Sequence, residues 1–82
     1  MNENTKHFGS AEDNVIQECA EVIHIICKAK NFGYKSCHPK EPGVSTAELV
    51  LNEIADLEYR LKELKPLLRH IVIQFGEEKN GL

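Results

Sequence analysis

The sequence predicts an all-α chain: two long antiparallel amphipathic helices plus a short C-terminal helix, completed into a helical bundle by oligomerisation. Two stretches, Val15 to Ile26 and Val50 to Leu64, repeat apolar residues at the i, i+3, i+4, i+7 spacing of an amphipathic helix. Between them lies a segment with Gly33, Pro39, Pro42 and Gly43 and no apolar period. The chain has 82 residues. A domain near that size removes only about 60% of its unfolded surface from water, too little for one copy to cover both apolar arcs.

Residues Met1 to Gly9 are polar and end in glycine, so residues 1–10 read as a flexible leader, with Ser10 as N-cap of the first helix. Glu12 and Asp13 then fall in the first turn, where negative charge suits the helix dipole. Val15, Ile16, Cys19, Val22, Ile23 and Ile26 form one apolar arc, and the helix is expected from about Ala11 to Asn31 or Phe32. Gly33 stands where a helix C′ glycine belongs, preceded by Lys28 and Lys30 at the negative end of the dipole. Tyr34 to Val44 reads as a connecting loop, with Phe32 packed beneath it, and its length suggests a role beyond connection.

Ser45 and Glu48 fit the S/T-x-x-E capping box, which opens a second helix from about Thr46 to Lys65. Its apolar face is Val50, Ile54, Leu57, Leu61 and Leu64. Pro66 lacks a backbone donor and is expected to end or kink this helix. Leu67, Leu68, Ile71, Val72 and Phe75 then give a kinked continuation or short third helix, followed by a frayed tail over residues 76–82. The whole chain reads as a single domain, 1–82.

A formal net charge of -3 and a pI near 5.8 supply no basic field for a nucleic-acid backbone, so no nucleic-acid partner is expected. A polyanionic small molecule is not excluded, because lysines and a divalent cation can reverse the sign locally. No apolar run approaches the ~20 residues that span a bilayer, and the first residues lack the pattern of a secretory signal. The chain is therefore read as cytoplasmic with no membrane partner. Cys19, Cys27 and Cys37 are odd in number and unpaired in spacing, as expected of reduced thiols.

The chemistry lies in four acidic residues. Glu18 and Glu21 are three apart on the first helix, just beside its apolar arc, and Glu53 and Asp56 are three apart on the second. Side chains three apart in a helix project from one side about a turn apart, where two carboxylates without a cation repel. Antiparallel packing brings both pairs to one edge of a bundle. Four carboxylates without His or Cys favour a hard cation, Mg²⁺ or Mn²⁺, over zinc. Against this stands the ordinary habit of acidic residues to occupy solvated helix faces, which spacing alone does not overrule.

The segments Gln17-Glu18-Cys19-Ala20-Glu21-Val22, Lys28, Asn31-Phe32-Gly33 and Asn52-Glu53-Ile54-Ala55-Asp56-Leu57 resemble the MazG-like branch of the all-α nucleoside triphosphate pyrophosphohydrolases, especially its short phage and bacterial members. The signature of that family is ExxE on one helix and ExxD on the next, with a basic residue shortly after the first pair. The resemblance covers about Ala11 to Leu64. It implies Mg²⁺-dependent hydrolysis of a nucleoside triphosphate, deoxynucleotides favoured, to a monophosphate and pyrophosphate. It makes Glu18, Glu21, Glu53 and Asp56 the metal-holding and catalytic residues, and Lys28, Lys30 and Lys35 the lysines that could pair with phosphate oxygens. The expected assembly is a homodimer or dimer of dimers. Three departures bear on substrate fit: thirty-two positions separate Glu21 from Glu53, Asn31 stands where a basic residue is common, and Ala55 where glycine is frequent.

His24, Cys27, Cys37 and His38 can be drawn as a zinc site, but CxxC pairing is absent and Cys27 also fits the apolar arc. Neither a GxxxxGK[ST] phosphate loop nor a GxGxxG fingerprint is present. The serious alternative is a non-enzymatic dimeric helical interaction module whose acidic residues only solubilise it. Glu12 and Glu63 are expected to lie outside the acidic cluster.

Overall fold

The computed structural model describes residues 3–81, and two helices carry most of them. Helix α1 spans Glu3–Phe32 and helix α2 spans Thr46–Asn80. Between them a small antiparallel hairpin is formed by β1, Cys37–His38, and β2, Glu41–Ser45. Cys37 pairs with Ser45 and His38 with Glu41, with a bulge between the two pairs. The fold is all-α, as the apolar periods require. No described helix is long and apolar enough to cross a membrane, and the three cysteines are free thiols.

Contacts run in opposite sequence directions along the two helices. The α1 end lies beside the start of α2, Glu18 lies beside Glu53 and Asp56, and Ser10 lies beside Leu67. The helices are therefore antiparallel, in a rod of 60 × 24 × 18 Å.

The turn between them is held by backbone groups that a helix end would otherwise leave unpaired. Gly33 adopts φ +92° and its N–H donates to Ala29 O at 2.7 Å, the left-handed C′ termination available to glycine at little cost. Thr46 N–H donates to Ser36 O at 2.7 Å and Ala47 N–H to Tyr34 O at 3.0 Å. Ser45 Oγ accepts from Glu48 N–H at 3.3 Å, which is the N-cap that the Ser45–Glu48 spacing predicts. The Thr46 hydroxyl, in a buried residue, donates to Ser36 O at 3.0 Å and lies 2.8 Å from Ser36 Oγ.

Four expectations are corrected. Ser10 is not a cap: α1 begins at Glu3 and passes through Gly9, so the leader expected over residues 1–10 is helical from residue 3, while residues 1–2 lie outside the described residues. Glycine in a helix interior costs only about 1 kcal/mol, and each residue added to an existing helix gains a hydrogen bond, so Gly9 does not stop it. Pro66 does not end α2: of the two expectations for the residues after it, the continuation forms and the separate C-terminal helix does not, and helix in place of a frayed tail reaches Asn80. The proline removes one backbone donor and exposes its ring to solvent, while the residues after it continue the helix. Tyr34 to Val44 is not an irregular loop but folds into the hairpin. Phe32 is not packed beneath it, being 73% exposed.

The first helix also divides its apolar residues differently from the expected single arc. The half-buried or buried side of α1 includes Ala11, Val15, Glu18, Val22, Ile25 and Ala29, at alternating steps of four and three, flanked by Asn14 and by Cys19 and Ile26 of the expected arc. Ile16 and Ile23 point away and are 65% and 63% exposed. On α2 an apolar residue recurs at alternating steps of four and three from Val50 through Ile54, Leu57, Leu61, Leu64, Leu68 and Ile71 to Phe75. Exposure along this seam rises from 8% at Val50 to 66% at Phe75. The buried core is confined to the hairpin end, around Ala29, Thr46 and Val50.

Candidate metal centre

The alternating four-three pattern explains how an acidic residue enters the interface. On α1 the seam step after Val15 falls on Glu18, so its carboxylate is carried between the helices. Glu53 and Asp56 face it from α2, one turn below the buried Val50. One oxygen from each of Glu18, Glu53 and Asp56 lies within 4.8 Å of the others. Glu18 and Glu53 are half-buried and Asp56 is exposed. Glu21, exposed one turn along α1, stands against both Glu18 and Glu53. All four carboxylates singled out by their spacing therefore meet.

Their charges are only partly compensated, by Arg60. Burial holds the Glu18 carboxyl above the ordinary carboxylate range, reinforced by the charge and hydrogen bonding of Glu21 and then by the charge of Asp56, while Arg60 pulls the other way. Burial likewise raises Glu53, followed by hydrogen bonding to Glu21 and the charges of Glu21, Asp56 and Glu18. Glu18 Oε2 and Glu53 Oε2 are buried without a hydrogen-bond partner. An orphaned buried acceptor is costly unless something donates to it or coordinates it.

These observations fit a divalent cation. Three oxygen donors from separate side chains converge, an oxygen of Glu18 and one of Glu53 are buried and unmatched, and no sulfur or imidazole belongs to the group. Mg²⁺ is held in this way, through a few carboxylates, with remaining positions left for water and phosphate oxygens. The mixed Cys/His alternative gains no support among the described residues: His24 and Cys27 are exposed, neither belongs to a convergent ligand group, and the side chain of His38 lies outside the description.

Lys28, Lys30 and Lys35 are exposed, and none is among the charges acting on Glu18 or Glu53. The cation acting on Glu18 is Arg60, which was not anticipated from the sequence. Its position carried a signal: it is four residues after Asp56 and seven after Glu53, hence on the same side of α2. Arg60 Nη1 donates to Glu63 Oε1 at 2.8 Å, and the guanidinium lies 5.5 Å from the centroid of the Tyr59 ring. Glu63 lies outside the acidic cluster, as expected, and adjoins it only through Arg60.

Fold and site together define a helical hairpin with one carboxylate pair on each helix, a class of arrangement suited to a divalent cation. Comparison with protein-family models, curated proteins and solved structures yields no match to this chain.

Proposed function

We propose that this chain is a Mg²⁺-dependent nucleoside triphosphate pyrophosphohydrolase of the MazG-like kind, converting a (d)NTP and water to the (d)NMP and pyrophosphate. The observation that carries the reading is the meeting of Glu18, Glu21, Glu53 and Asp56, with buried Glu18 and Glu53 oxygens left unmatched. The residues of the MazG-like resemblance are the same four.

Glu18, Glu53 and Asp56 would hold Mg²⁺, or Mn²⁺ in its place, with Glu21 completing the set. Such an ion supplies Lewis acidity, neutralising charge that develops on the phosphates and making a nearby water more acidic. Among the chain's own groups, a carboxylate of the cluster orients that water and accepts its proton. Lys28, seven residues beyond Glu21 and thus on nearly the same side of α1, is the lysine placed to meet an outlying phosphate.

The chain acts as a homodimer or dimer of dimers in this reading, because Leu68, Ile71, Val72 and Phe75 form an exposed apolar strip on α2 that a second copy would cover. Free thiols and a nucleotide substrate fit a cytoplasmic protein. The same strip favours one alternative, a non-enzymatic helical interaction module.

Incubation with a panel of ribo- and deoxynucleoside triphosphates in the presence and absence of Mg²⁺ tests the proposal. Mg²⁺-dependent release of pyrophosphate supports it. Release of orthophosphate alone places cleavage at another bond, and absence of any Mg²⁺ effect on turnover and melting leaves the interaction module as the better reading.

A further inference from the structure

Below the acidic cluster the two helices continue as a matched pair of rows. On α2, Glu53, Asp56, Arg60, Glu63 and Leu67 follow steps of three and four, so they line one side of the helix. The α1 row read in the opposite direction is Glu21, Glu18, Asn14 and Ala11. The order along the rod is thus carboxylates, then a guanidinium, then a depression of about 260 Å³ lined by Ser10, Ala11, Asn14, Glu63 and Leu67. Glu63 belongs to both latter features, since it lines the depression and anchors Arg60 at 2.8 Å. The depression is shallow and open to solvent, so it can carry one face of a sugar or base and does not enclose a whole nucleotide. Its lining combines an apolar floor, Ala11 and Leu67, with the amide of Asn14 and the hydroxyl of Ser10, groups able to hydrogen-bond a polar ring edge.

Arg60 is well suited to link the two ends. A guanidinium pairs with a phosphate through two parallel N–H groups, and its present partner Glu63 is bound through only one recorded contact at a half-exposed position. With a divalent cation neutralising the neighbouring carboxylates, a more highly charged phosphate can displace that carboxylate from Arg60, which frees Glu63 to accept from a ribose hydroxyl or base N–H.

Resting on the pyrophosphohydrolase reading, we propose that Arg60 and the adjoining Ser10–Asn14–Leu67 depression form the nucleoside-side subsite. Arg60 binds a phosphate oxygen next to the metal-holding carboxylates, and the sugar or base lies in the depression. The nucleotide therefore runs along the helix pair with its nucleoside toward residue 10 and its outer phosphates toward Lys28.

Calorimetric titration of the full chain with Mg²⁺ alone, with Mg²⁺ and inorganic tripolyphosphate, and with Mg²⁺ and a deoxynucleoside triphosphate separates the contributions. Arg60→Gln should weaken tripolyphosphate and deoxynucleotide binding alike, by about 10- to 100-fold for a lost charge-assisted contact. It should leave Mg²⁺ binding unchanged or tighter, because a positive charge beside the carboxylates is gone; Arg60→Lys should recover part of the loss. Ser10→Trp, at an exposed position, should fill the depression and weaken the deoxynucleotide while sparing tripolyphosphate. If Arg60→Gln leaves tripolyphosphate binding intact, or lowers Mg²⁺ binding in parallel, Arg60 is structural and the inference fails. Equal effects of Ser10→Trp on both phosphates, or none on the deoxynucleotide, remove the depression from the site. A parent chain that binds Mg²⁺ but neither phosphate compound overturns the functional reading itself, independently of either variant.

Discussion

Glu18 of α1 and Glu53 of α2 face one another across the helix interface, each with its Oε2 atom buried and without a hydrogen-bond partner. Two like charges in this position oppose the contact that brings them together. The hairpin tolerates them because its packing is anchored elsewhere, at Ala29, Val50 and the bonded turn. A region held against its own repulsion gives the metal-free chain a characteristic response to pH and to cations.

The pH response follows from the raised Glu18 and Glu53 carboxyls. In the unfolded chain they titrate at their ordinary value, so at pH between that value and the raised one the folded state binds more protons. Stability then falls as pH rises across this window, the reverse of a salt-bridged carboxylate. With chelator present, the melting temperature should decline as pH rises above the ordinary carboxylate value of 4.5. Glu18→Gln should flatten the decline. A melting temperature that climbs steadily with pH in both proteins would contradict the crowding.

Cation binding should reverse the same strain. Mg²⁺ at about 100 times its Kd stabilises a folded chain by roughly 2.7 kcal/mol. For a domain of 60–100 residues each kcal/mol shifts melting by about 4–8 °C. Glu18→Gln, Glu53→Gln and Asp56→Asn should each fold with unchanged or slightly higher stability in chelator, yet lose most of this Mg²⁺-dependent rise. Glu12→Gln, exposed and remote, should keep it. Glu63→Gln is unsuitable as an inert control because Glu63 holds Arg60.

The carboxylate cluster was legible because helical geometry is regular: residues three apart share a side, and two such pairs on antiparallel helices meet wherever the turn sets the register. The turn itself was less legible. Its pairing depends on Thr46 and Ala47 donating to Ser36 and Tyr34, long-range bonds that no local period announces. Pro66 and Gly9 do not break the helices that contain them, since each removes a local contribution that a long helix can absorb. Arg60 was overlooked although its spacing from Asp56 repeats the logic applied to the acids. A broad apolar arc does not reveal which of its edges faces the partner helix, so Ile16 and Ile23 read as inward in sequence; the inward position of Glu18 turns them out.

The turn offers a stability test independent of any metal. Thr46 is 8% exposed, and its hydroxyl donates to Ser36 O while lying against Ser36 Oγ, which itself contacts Gly33 O at 2.7 Å. Thr46→Val keeps the shape but leaves the Ser36 hydroxyl with Gly33 O alone. Ser36 O retains the Thr46 N–H, so the cost should be about 0.5–1.5 kcal/mol, that of one net hydrogen bond. Urea denaturation measures it, and Thr46→Ser should fall between the two. Equal stability of parent and Val variant would show that this bond does not hold the turn.

The exposed strip on α2 sets the last test. Leu68, Ile71 and Phe75 continue the seam that α2 uses against α1, but they are 46%, 47% and 66% exposed, so the pattern exceeds what one copy buries. Burying a large apolar side chain contributes about 1.5–3 kcal/mol, and a symmetric pair of copies would gain it twice at each position. If self-association covers the strip, the parent chain should sediment as a dimer or tetramer at micromolar concentration. Ile71→Glu and Phe75→Glu should then shift it toward monomer, because each inserts an unpaired charge into an apolar contact. The exposed Val72, 70% accessible and one step around the helix, offers a milder variant, Val72→Glu. The two readings of the chain predict different couplings. For an enzyme whose metal ligands all come from one hairpin, the monomeric variants should still bind Mg²⁺ through Glu18, Glu53 and Asp56. For an interaction module they should lose self-association, and Mg²⁺ should have no effect on parent or variant. A parent that is monomeric and stably folded at these concentrations would overturn the oligomer reading and leave the strip exposed in the working protein.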